Sequence, residues 1–297
     1  MTLSVLIPTF NRLPFWRDHR KLLDGLYAQS DPDFECVIVD DGSTDGTADW
    51  LRDHFTVNPP PFHFKLLRTK FAKSGENQSS GAADNVGFRE VTGDVILHLD
   101  DDLAIGPDIV AYVKTLDVAD GKKVVWGALL FSDKEWKQLE GAEGRDTRWH
   151  NAIRQHIKED LFELPSAWRG DWGAVYAIAT SVIREMGGHH VELVRYRSSD
   201  SRFGFRLRRF GLKTYLSTDP RMVTTHWGRS WFQTQRKLGK MDLVRTVCRS
   251  PNVNISGTQL TRQANRGQAF WTSPYFDNAY DTVLTYGPVV STATSAN

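Results

Sequence analysis

Three consecutive aspartates, Asp100, Asp101 and Asp102, stand directly after the apolar segment Val95–Leu99. The segment is rich in β-branched and apolar residues, which predicts a buried strand. Adjacent carboxylates repel one another when all are ionised, and a bound cation relieves that repulsion. Hard divalent ions such as Mg²⁺ and Mn²⁺ take oxygen ligands of this kind and often share them with substrate phosphates. The alternative is a solvated acidic turn that leads into the helix after Pro107.

Two other predicted strands also run into polar residues. A strand over residues 3–7 is followed by the segment 8–12, Pro-Thr-Phe-Asn-Arg, and a strand over 35–39 is followed by Asp40 and Asp41. The carboxyl ends of parallel strands lie at one edge of a sheet, where ligands bind in α/β proteins. We therefore expect all three polar segments to face one crevice. The alternative for Asp40 and Asp41 is a type I turn with a helix cap.

The elements that must position these residues alternate along the first hundred residues. Strands are predicted over 3–7, 35–39, 64–67 and 95–99, and helices over 14–29, 45–54 and 81–91. This order predicts an α/β fold with a mostly parallel sheet covered by helices. The second half is less regular: the predictions are a strand over 124–131, a loop or helical insertion over 132–165, a helix over 200–210 and a strand–turn–strand unit over 212–228.

Composition narrows the class of protein. A formal net charge of +1 over 297 residues implies no global electrostatic partner, but residues 195–249 hold fourteen Lys/Arg against three Asp/Glu. That stretch is either a solvated basic face or a site for an anionic partner. Two distant cysteines make neither a disulfide framework nor a zinc site. The sequence shows no signal peptide and no apolar run long enough to span a bilayer. We therefore expect a cytoplasmic protein, or one held peripherally at a membrane surface.

Taken together, four motifs resemble glycosyltransferase family 2. They are the segment 4–12 (SVLIPTFNR), the segment 39–47 (VDDGSTDGT), the segment 81–87 (GAADNVG) and the segment 93–102 (GDVILHLDDD). The second motif is specific, whereas the last, a DXD-type strand end, is weak by itself. The motifs follow one another in the family's order and spacing, and the resemblance covers about residues 3–228.

The resemblance implies a GT-A fold, a Rossmann-like three-layer α/β/α sandwich with a mostly parallel mixed sheet. It implies a catalytic domain over residues 1–230, with a nucleotide-sugar-binding half (1–105) and an acceptor-binding half (106–230). Residues 231–297 would be a C-terminal extension, disordered from Ser291 onward. The implied activity is inverting transfer of a sugar from a nucleotide-sugar donor, by family habit a UDP-sugar, to an acceptor hydroxyl. The implied cofactor is Mn²⁺ or Mg²⁺.

Carried over residue by residue, the resemblance also implies roles in the site. The donor would be bound by Pro8, Thr9, Phe10, Arg12, Asp40, Asp41, Asn85, Asp100 and Asp101; the metal by Asp102 and His226; and the acceptor by Asp171, Trp172 and Gly173. Asp200 matches the family's general base, although Ser199 stands where the family usually has Glu. Asp200 could instead cap its helix, His226 could be a packing residue, and Trp172 could belong to the core.

Other classes of protein remain open at this point. A glycosidase also needs two carboxylates but needs no nucleotide crevice, so it fits poorly. A nucleotidyltransferase shares the nucleotide, the metal and the acidic strand ends, but usually carries a Gly-rich loop and a Lys after its first strand. A non-catalytic binding module could keep the donor pocket without the base, and Ser199 is the one hint of it. The basic stretch over residues 195–249 is compatible with three classes of acceptor: an anionic glycan, a lipid head group and nucleic acid.

Overall fold

The computed structural model describes residues 1–69, 80–127, 129–131, 160–163, 174–189, 199–226 and 280–287. In chain order the described strands are β1 Leu3–Thr9, β2 Glu35–Asp40, β3 His63–Thr69, β4 Val95–Leu99, β5 Leu103–Ala104, β6 Lys123–Gly127, β7 Leu129–Phe131, β8 Leu161–Glu163, β9 Val175–Ala179, β10 Lys213–Ser217, β11 Thr224–His226 and β12 Tyr280–Tyr286. The described α-helices are α1 Lys21–Tyr27, α2 Thr47–Val57, α3 Ser80–Glu90, α4 Ile109–Lys114, α5 Thr180–Met186 and α6 Ser199–Arg209.

Nine of these strands form one mixed sheet in the order β12-β3-β2-β1-β4-β9-β6-β10-β8. The four strands β3, β2, β1 and β4 are parallel neighbours, and β9 lies antiparallel between β4 and β6. The apolar side chains of β1, β2 and β4 are almost fully buried. Strands that are covered on both faces have this continuous apolar character. The predicted α/β class with a mostly parallel mixed sheet is confirmed.

The first predicted helix is broken in the structure. Residues 14–29 form a five-residue π-helix, Phe15–His19, followed by α1. Between them Arg20 has a φ of 55°, a left-handed conformation that ends a right-handed helix. Trp16 lies in the first part, where it is buried and donates through Nε1 to Thr9 Oγ1 at 3.0 Å. A tertiary contact of this kind overrides the local helical pattern that the sequence suggested.

The predicted strand over 124–131 is in fact two strands in two sheets. β6 ends at Gly127, where an added Cβ would lie 2.6 Å from the main-chain oxygen of Met222, so only glycine fits. β7 then belongs to a small sheet of order β5-β11-β7. The strand–turn–strand unit predicted over 212–228 is confirmed up to residue 226, as β10, the 3₁₀ turn Pro220–Met222 and β11, and residues 227 and 228 lie outside the described residues.

β12 was not predicted, since the sequence around it is polar. It lies in the predicted C-terminal extension and pairs antiparallel with β3, so that Tyr280 is opposite Thr69 and Tyr286 opposite Phe64. The pairing covers an edge of the sheet that would otherwise be open to other chains. None of the helices within the described ranges has the length and apolar character needed to cross a membrane.

Candidate active site

Thr9, at the end of β1, joins the polar ends of the two neighbouring strands. Its hydroxyl donates to Asp101 Oδ2 at 2.6 Å, and its main-chain oxygen accepts from the Asp41 amide at 2.8 Å. The register explains both contacts, because β1 pairs with β2 at Thr9 and Asp40 and with β4 at Leu6 and His98. The three strand ends that the sequence singled out therefore meet at one edge of the sheet.

Arg12 forms ion pairs with two of the acids at the end of β4. Its Nε lies 3.4 Å from Asp101 Oδ1 and its Nη2 lies 3.2 Å from Asp102 Oδ2. The guanidinium also stacks over the Phe15 ring at 4.8 Å from the ring centre. The Arg12 side chain is about one-third exposed (34%), whereas both carboxylates are buried. Arg12 thus forms the solvent-facing side of the acidic group.

The loop that carries Arg12 is tied to the loop after β2. Asn11 has a left-handed φ of 51°. Its main-chain N–H donates to Ser43 Oγ at 2.8 Å, and its side-chain oxygen accepts from the main-chain N–H of Thr44 at 2.8 Å. The Arg12 amide donates to Thr47 Oγ1 at 3.0 Å. These bonds satisfy polar main-chain groups of both loops at once. They fix the backbone from which the Arg12 side chain reaches the aspartates.

Asp40 and Asp41 lie on the other side of β1 and take different partners. Asp40 is fully buried, accepts from the Ser43 amide at 3.1 Å and lies 3.3 Å from Arg68 Nε. Asp41 accepts from Thr69 Oγ1 at 3.1 Å. Arg68 and Thr69 end β3 and were missed by the sequence reasoning, which ended that strand at residue 67. The rule used for the other strands, that polar residues after a parallel strand face the crevice, would have found them.

Burial raises the pKa of each acid in the crevice. The pKa values of Asp41 and Asp101 are raised to about 7 and that of Asp102 to about 6, in each case chiefly because burial disfavours the charged form. The negative charges of Asp40 and Asp84 raise the pKa of Asp41 further, while Arg12 opposes the shift at Asp101 and Asp102. We call Asp41, Asp101 and Asp102 the crevice carboxylates; their charges are incompletely compensated by the protein, as is common at functional sites.

The donor set suits a hard divalent cation. Asp102 offers a buried carboxylate, and the main chain of His226 in β11 is in register with Leu103, the residue after Asp102. Carboxylate oxygens suit Mn²⁺ or Mg²⁺ when substrate phosphates complete the shell, and the side chain of His226 lies outside the described part of the structure. Among the described side chains, no three His, Cys, Asp or Glu residues form a metal site by themselves. The residues therefore fit a cation that is shared with a phosphate ligand.

The other predicted site residues lie on several elements: next to Thr9, at the end of β4, in α3 and in α6. Pro8 and Phe10 flank Thr9 in the chain, and the Asp100 amide donates to the Ala174 oxygen at 2.8 Å, where β9 begins. Asn85 in α3 bonds the main chain of His189 through its side-chain amide, at 2.8 and 2.6 Å. Asp200 lies in the first turn of α6. Asp171, Trp172 and Gly173 lie outside the described residues.

Comparison with known proteins gives a family match over more than half of the chain. A family model described as "Glycosyl transferase family 2" matches residues 4–174. Validoxylamine A glucosyltransferase from Streptomyces hygroscopicus subsp. jinggangensis is 26% identical over 238 residues, which is 73% of this chain and 54% of that protein. The chain spans between 26% and 54% of the length of curated relatives such as this one.

Solved structures share the fold at low sequence identity. TarS of S. aureus, residues 1–349 in complex with UDP, superposes with a TM-score of 0.54 at 16% identity, covering 93% of this chain and 74% of that chain. The mannosyltransferase PcManGT from Pyrobaculum calidifontis, in complex with GDP-Man and Mn²⁺, superposes with a TM-score of 0.55 at 19% identity, covering 90% of this chain and 74% of that chain.

Proposed function

The chain belongs to glycosyl transferase family 2, and we propose that it transfers a sugar from a UDP-sugar to an acceptor hydroxyl with inversion at the anomeric carbon. The observation that carries this proposal is the meeting of three parallel strand ends at Thr9, with carboxylates on either side of it. A nucleotide-sugar needs such a site, since it must be held at its base and at its diphosphate. The neighbours solved with UDP and with GDP-Man and Mn²⁺ support the class of donor.

The two sides of Thr9 suit the two ends of a nucleotide. Asp41, which is held by the Thr69 hydroxyl, would accept a hydrogen bond from the N–H of the nucleobase. Asp40 is bonded to Ser43 and close to Arg68, so it fixes the pocket wall. On the other side Asp101 and Asp102 lie where the diphosphate would end, with Arg12 beside them as a second positive group for phosphate.

We propose that Asp102 and His226 hold a divalent cation together with the diphosphate. The cation would stabilise the negative charge that develops on the leaving nucleoside diphosphate. Asp101 then has a supporting part, because its bonds to Thr9 and Arg12 keep the strand end in place. A cation near Asp101 and Asp102 also favours their charged forms and would lower their raised pKa values.

The acceptor hydroxyl has to lose a proton as it attacks the sugar. We propose Asp200 as the proton acceptor, on the face of the sugar opposite to the leaving diphosphate. Attack from that face inverts the anomeric centre in one step, so no covalent nucleophile is needed. The last turn of α6 carries Arg208 and Arg209, and the wider basic stretch of the sequence makes an anionic acceptor the first class to test.

Release of nucleoside diphosphate tests the proposal. The protein is incubated with a panel of UDP- and GDP-sugars, with Mn²⁺ or with a chelator, and free nucleoside diphosphate is measured. We expect metal-dependent release from at least one UDP-sugar. Donor binding without release would favour a binding module. Pyrophosphate release from a nucleoside triphosphate and a sugar phosphate would favour a nucleotidyltransferase.

Asp200→Asn separates the proton acceptor from the donor site. We expect turnover to fall by about 10²–10⁴-fold while UDP affinity stays within about twofold of wild type. The matched control is Asp53→Asn on α2, an exposed acid with a side-chain exposure of 67%. Normal turnover in Asp200→Asn would show that another group accepts the proton.

A further inference from the structure

A second buried polar group lies apart from the crevice carboxylates. Asp84 in α3 is 2.9 Å through Oδ1 from His98 Nε2 and 3.3 Å through Oδ2 from His189 Nε2, and all three side chains are buried. An ionised carboxylate only accepts hydrogen bonds, so His98 presents an Nε2–H to Asp84 Oδ1. His189 Nε2 lies close to the other carboxylate oxygen but does not have the geometry of a hydrogen bond to it. Burial lowers the pKa of His189 to about 4, which keeps that ring neutral. We call Asp84, His98 and His189 the Asp84 cluster.

The cluster joins three separate parts of the fold. His98 lies on β4, two residues before Asp100, and its ring stacks on Tyr176 of β9 at 4.6 Å. Asp84 belongs to α3. His189 follows α5, and its ring stacks on Phe203 of α6 with centres 4.1 Å apart. Phe203 is one helical turn after Asp200 in the same helix. A continuous set of contacts thus runs from the acidic end of β4 to α6.

Hydrogen bonds from side chains hold the main chain around His189. Asn85 bonds both the N–H and the C=O of His189 through its side-chain amide. Arg206 of α6 is buried and donates to Met186 O at 2.6 Å and to Gly188 O. Gly188 has a φ of +66°, and a Cβ there would meet the Asn85 side chain. The segment after α5 therefore has one arrangement, to which α6 is attached by both Phe203 and Arg206.

We propose that the Asp84 cluster is a positioning group that sets α6, and with it Asp200, against the end of β4 that carries Asp100–Asp102. The proposal rests on the proposed function, in which Asp200 accepts the proton. Hydrogen bonds join β4 to α3 through His98, α3 to the segment after α5 through Asn85, and that segment to α6 through Arg206. They fix distance and direction, whereas apolar packing alone tolerates small shifts. The cluster residues are buried and act through Phe203 and Arg206, so they are not catalytic residues.

The first test removes the polar ring nitrogens of His189 and keeps an aromatic ring. His189→Phe retains a ring beside Phe88 and Phe203 but loses Nε2, which lies 3.3 Å from Asp84 Oδ2. We expect kcat for the donor that the wild type uses to fall about 100-fold, because a misplacement of about 1 Å has that effect. The donor KM and the UDP affinity should stay within about twofold, since the crevice is untouched. His63→Phe, an exposed residue on β3, is the control.

The second test displaces His189 by a substitution at a neighbouring residue that does not belong to the Asp84 cluster. In Gly81→Ala the new Cβ would lie 2.9 Å from His189 Cβ, whereas in Gly106→Ala it meets nothing within 4 Å. The close contact forces a shift of His189 in Gly81→Ala, and without a positioning role this shift would leave kcat unchanged. We expect a loss of kcat in Gly81→Ala and none in Gly106→Ala. This pair decides the question even if His189→Phe fails to fold.

The outcomes separate the two proposals. If the wild type releases no nucleoside diphosphate from any donor, the proposed function is wrong. If the wild type is active and His189→Phe and Gly81→Ala keep kcat within twofold, the positioning role alone is wrong. A parallel fall in kcat and UDP affinity would show a general structural role and also overturn it. Amide hydrogen exchange of residues 199–209 gives a readout independent of turnover: we expect faster exchange in both variants, and unchanged exchange contradicts the proposal.

Discussion

The molecule buries two groups of acids in different ways. The crevice carboxylates have raised pKa values, and two of them, Asp101 and Asp102, pair with the partly exposed Arg12. Asp84 lies equally deep but has an imidazole on each oxygen. In our account, a bound ligand balances the negative charge of the crevice carboxylates, whereas the protein itself balances that of Asp84. Burial alone therefore does not identify a functional carboxylate; the compensation of its charge does.

Of the substitutions that test this comparison, the one at Asp102 is expected to have the largest effect. Asp102→Asn removes a proposed cation ligand and should lower turnover by at least about 10³-fold, since charge stabilisation of the leaving group is lost. The fold should be retained, because the buried carboxylate is not favourable to the native state when it is ionised. Thermal unfolding and nucleoside diphosphate release are measured on the same sample. Turnover within tenfold of wild type would contradict the role of Asp102.

A substitution at Asp84 is expected to lower the stability of the fold, whereas Asp102→Asn is expected to leave the fold intact. Asp84→Leu leaves the buried His98 Nε2–H without its acceptor, and such a group costs about 1–3 kcal/mol. The free energy of unfolding should therefore fall by about 1–3 kcal/mol, as measured by urea denaturation. The control is Asp94→Leu, an acid at the other edge of the sheet that bonds Thr2 and is largely exposed. Equal stability of Asp84→Leu and wild type would remove the distinction between the two groups of acids.

A third prediction concerns the sign of the stability change at Asp41. Its pKa is about 7 in the folded protein and about 4 in the unfolded chain, so the native state binds more protons between these values. Native stability from this group is therefore lost as the pH rises from about 4 to about 7. Asp41→Asn should be more stabilising at pH 8 than at pH 5, by about 1–3 kcal/mol. A pH-independent difference would show that Asp41 is ionised at both pH values.

The smallest effect is on the pH dependence of nucleotide binding. Ionised Asp41 accepts a hydrogen bond from the base, whereas the protonated group has lost that capacity at one oxygen. UDP affinity should fall about tenfold from pH 8 to pH 6, because the pKa of Asp41 is about 7. Isothermal titration over this range gives the profile. The comparison is sharpened if Asp84→Asn moves the midpoint to lower pH, as expected when a nearby negative charge is removed.

The sequence predicted the part of the fold that local pattern determines. β1, β2 and β4 are apolar runs, and their polar ends could be placed together because parallel strands end at one edge. The contacts of Arg12 with Asp101 and Asp102 could not be predicted, since they link residues about ninety positions apart. The same holds for the Asp84 cluster, whose His98 stands in an apolar strand.

Other elements were missed although their own residues favour a strand. Six of the seven residues of β12 are Tyr, Thr, Val or Leu, but they stand in a polar C-terminal region that gave no strand prediction, and they pair with the open edge of β3. Thr69 could have been found by extending the strand-end rule to β3, and it bonds Asp41 in the structure. The roles of Asp200 and His226 stay predictions that only experiment can test.

The most direct test of our central claim is a titration with UDP, with and without Mn²⁺. The claim is that the strand ends form one donor site in which a cation held by Asp102 meets the diphosphate. We predict that Mn²⁺ tightens UDP binding to the wild type by about tenfold or more, about 1.4 kcal/mol, and gives no such gain in Asp102→Asn. Equal UDP affinity of the wild type with and without Mn²⁺ would contradict the account, as would the same gain in the variant.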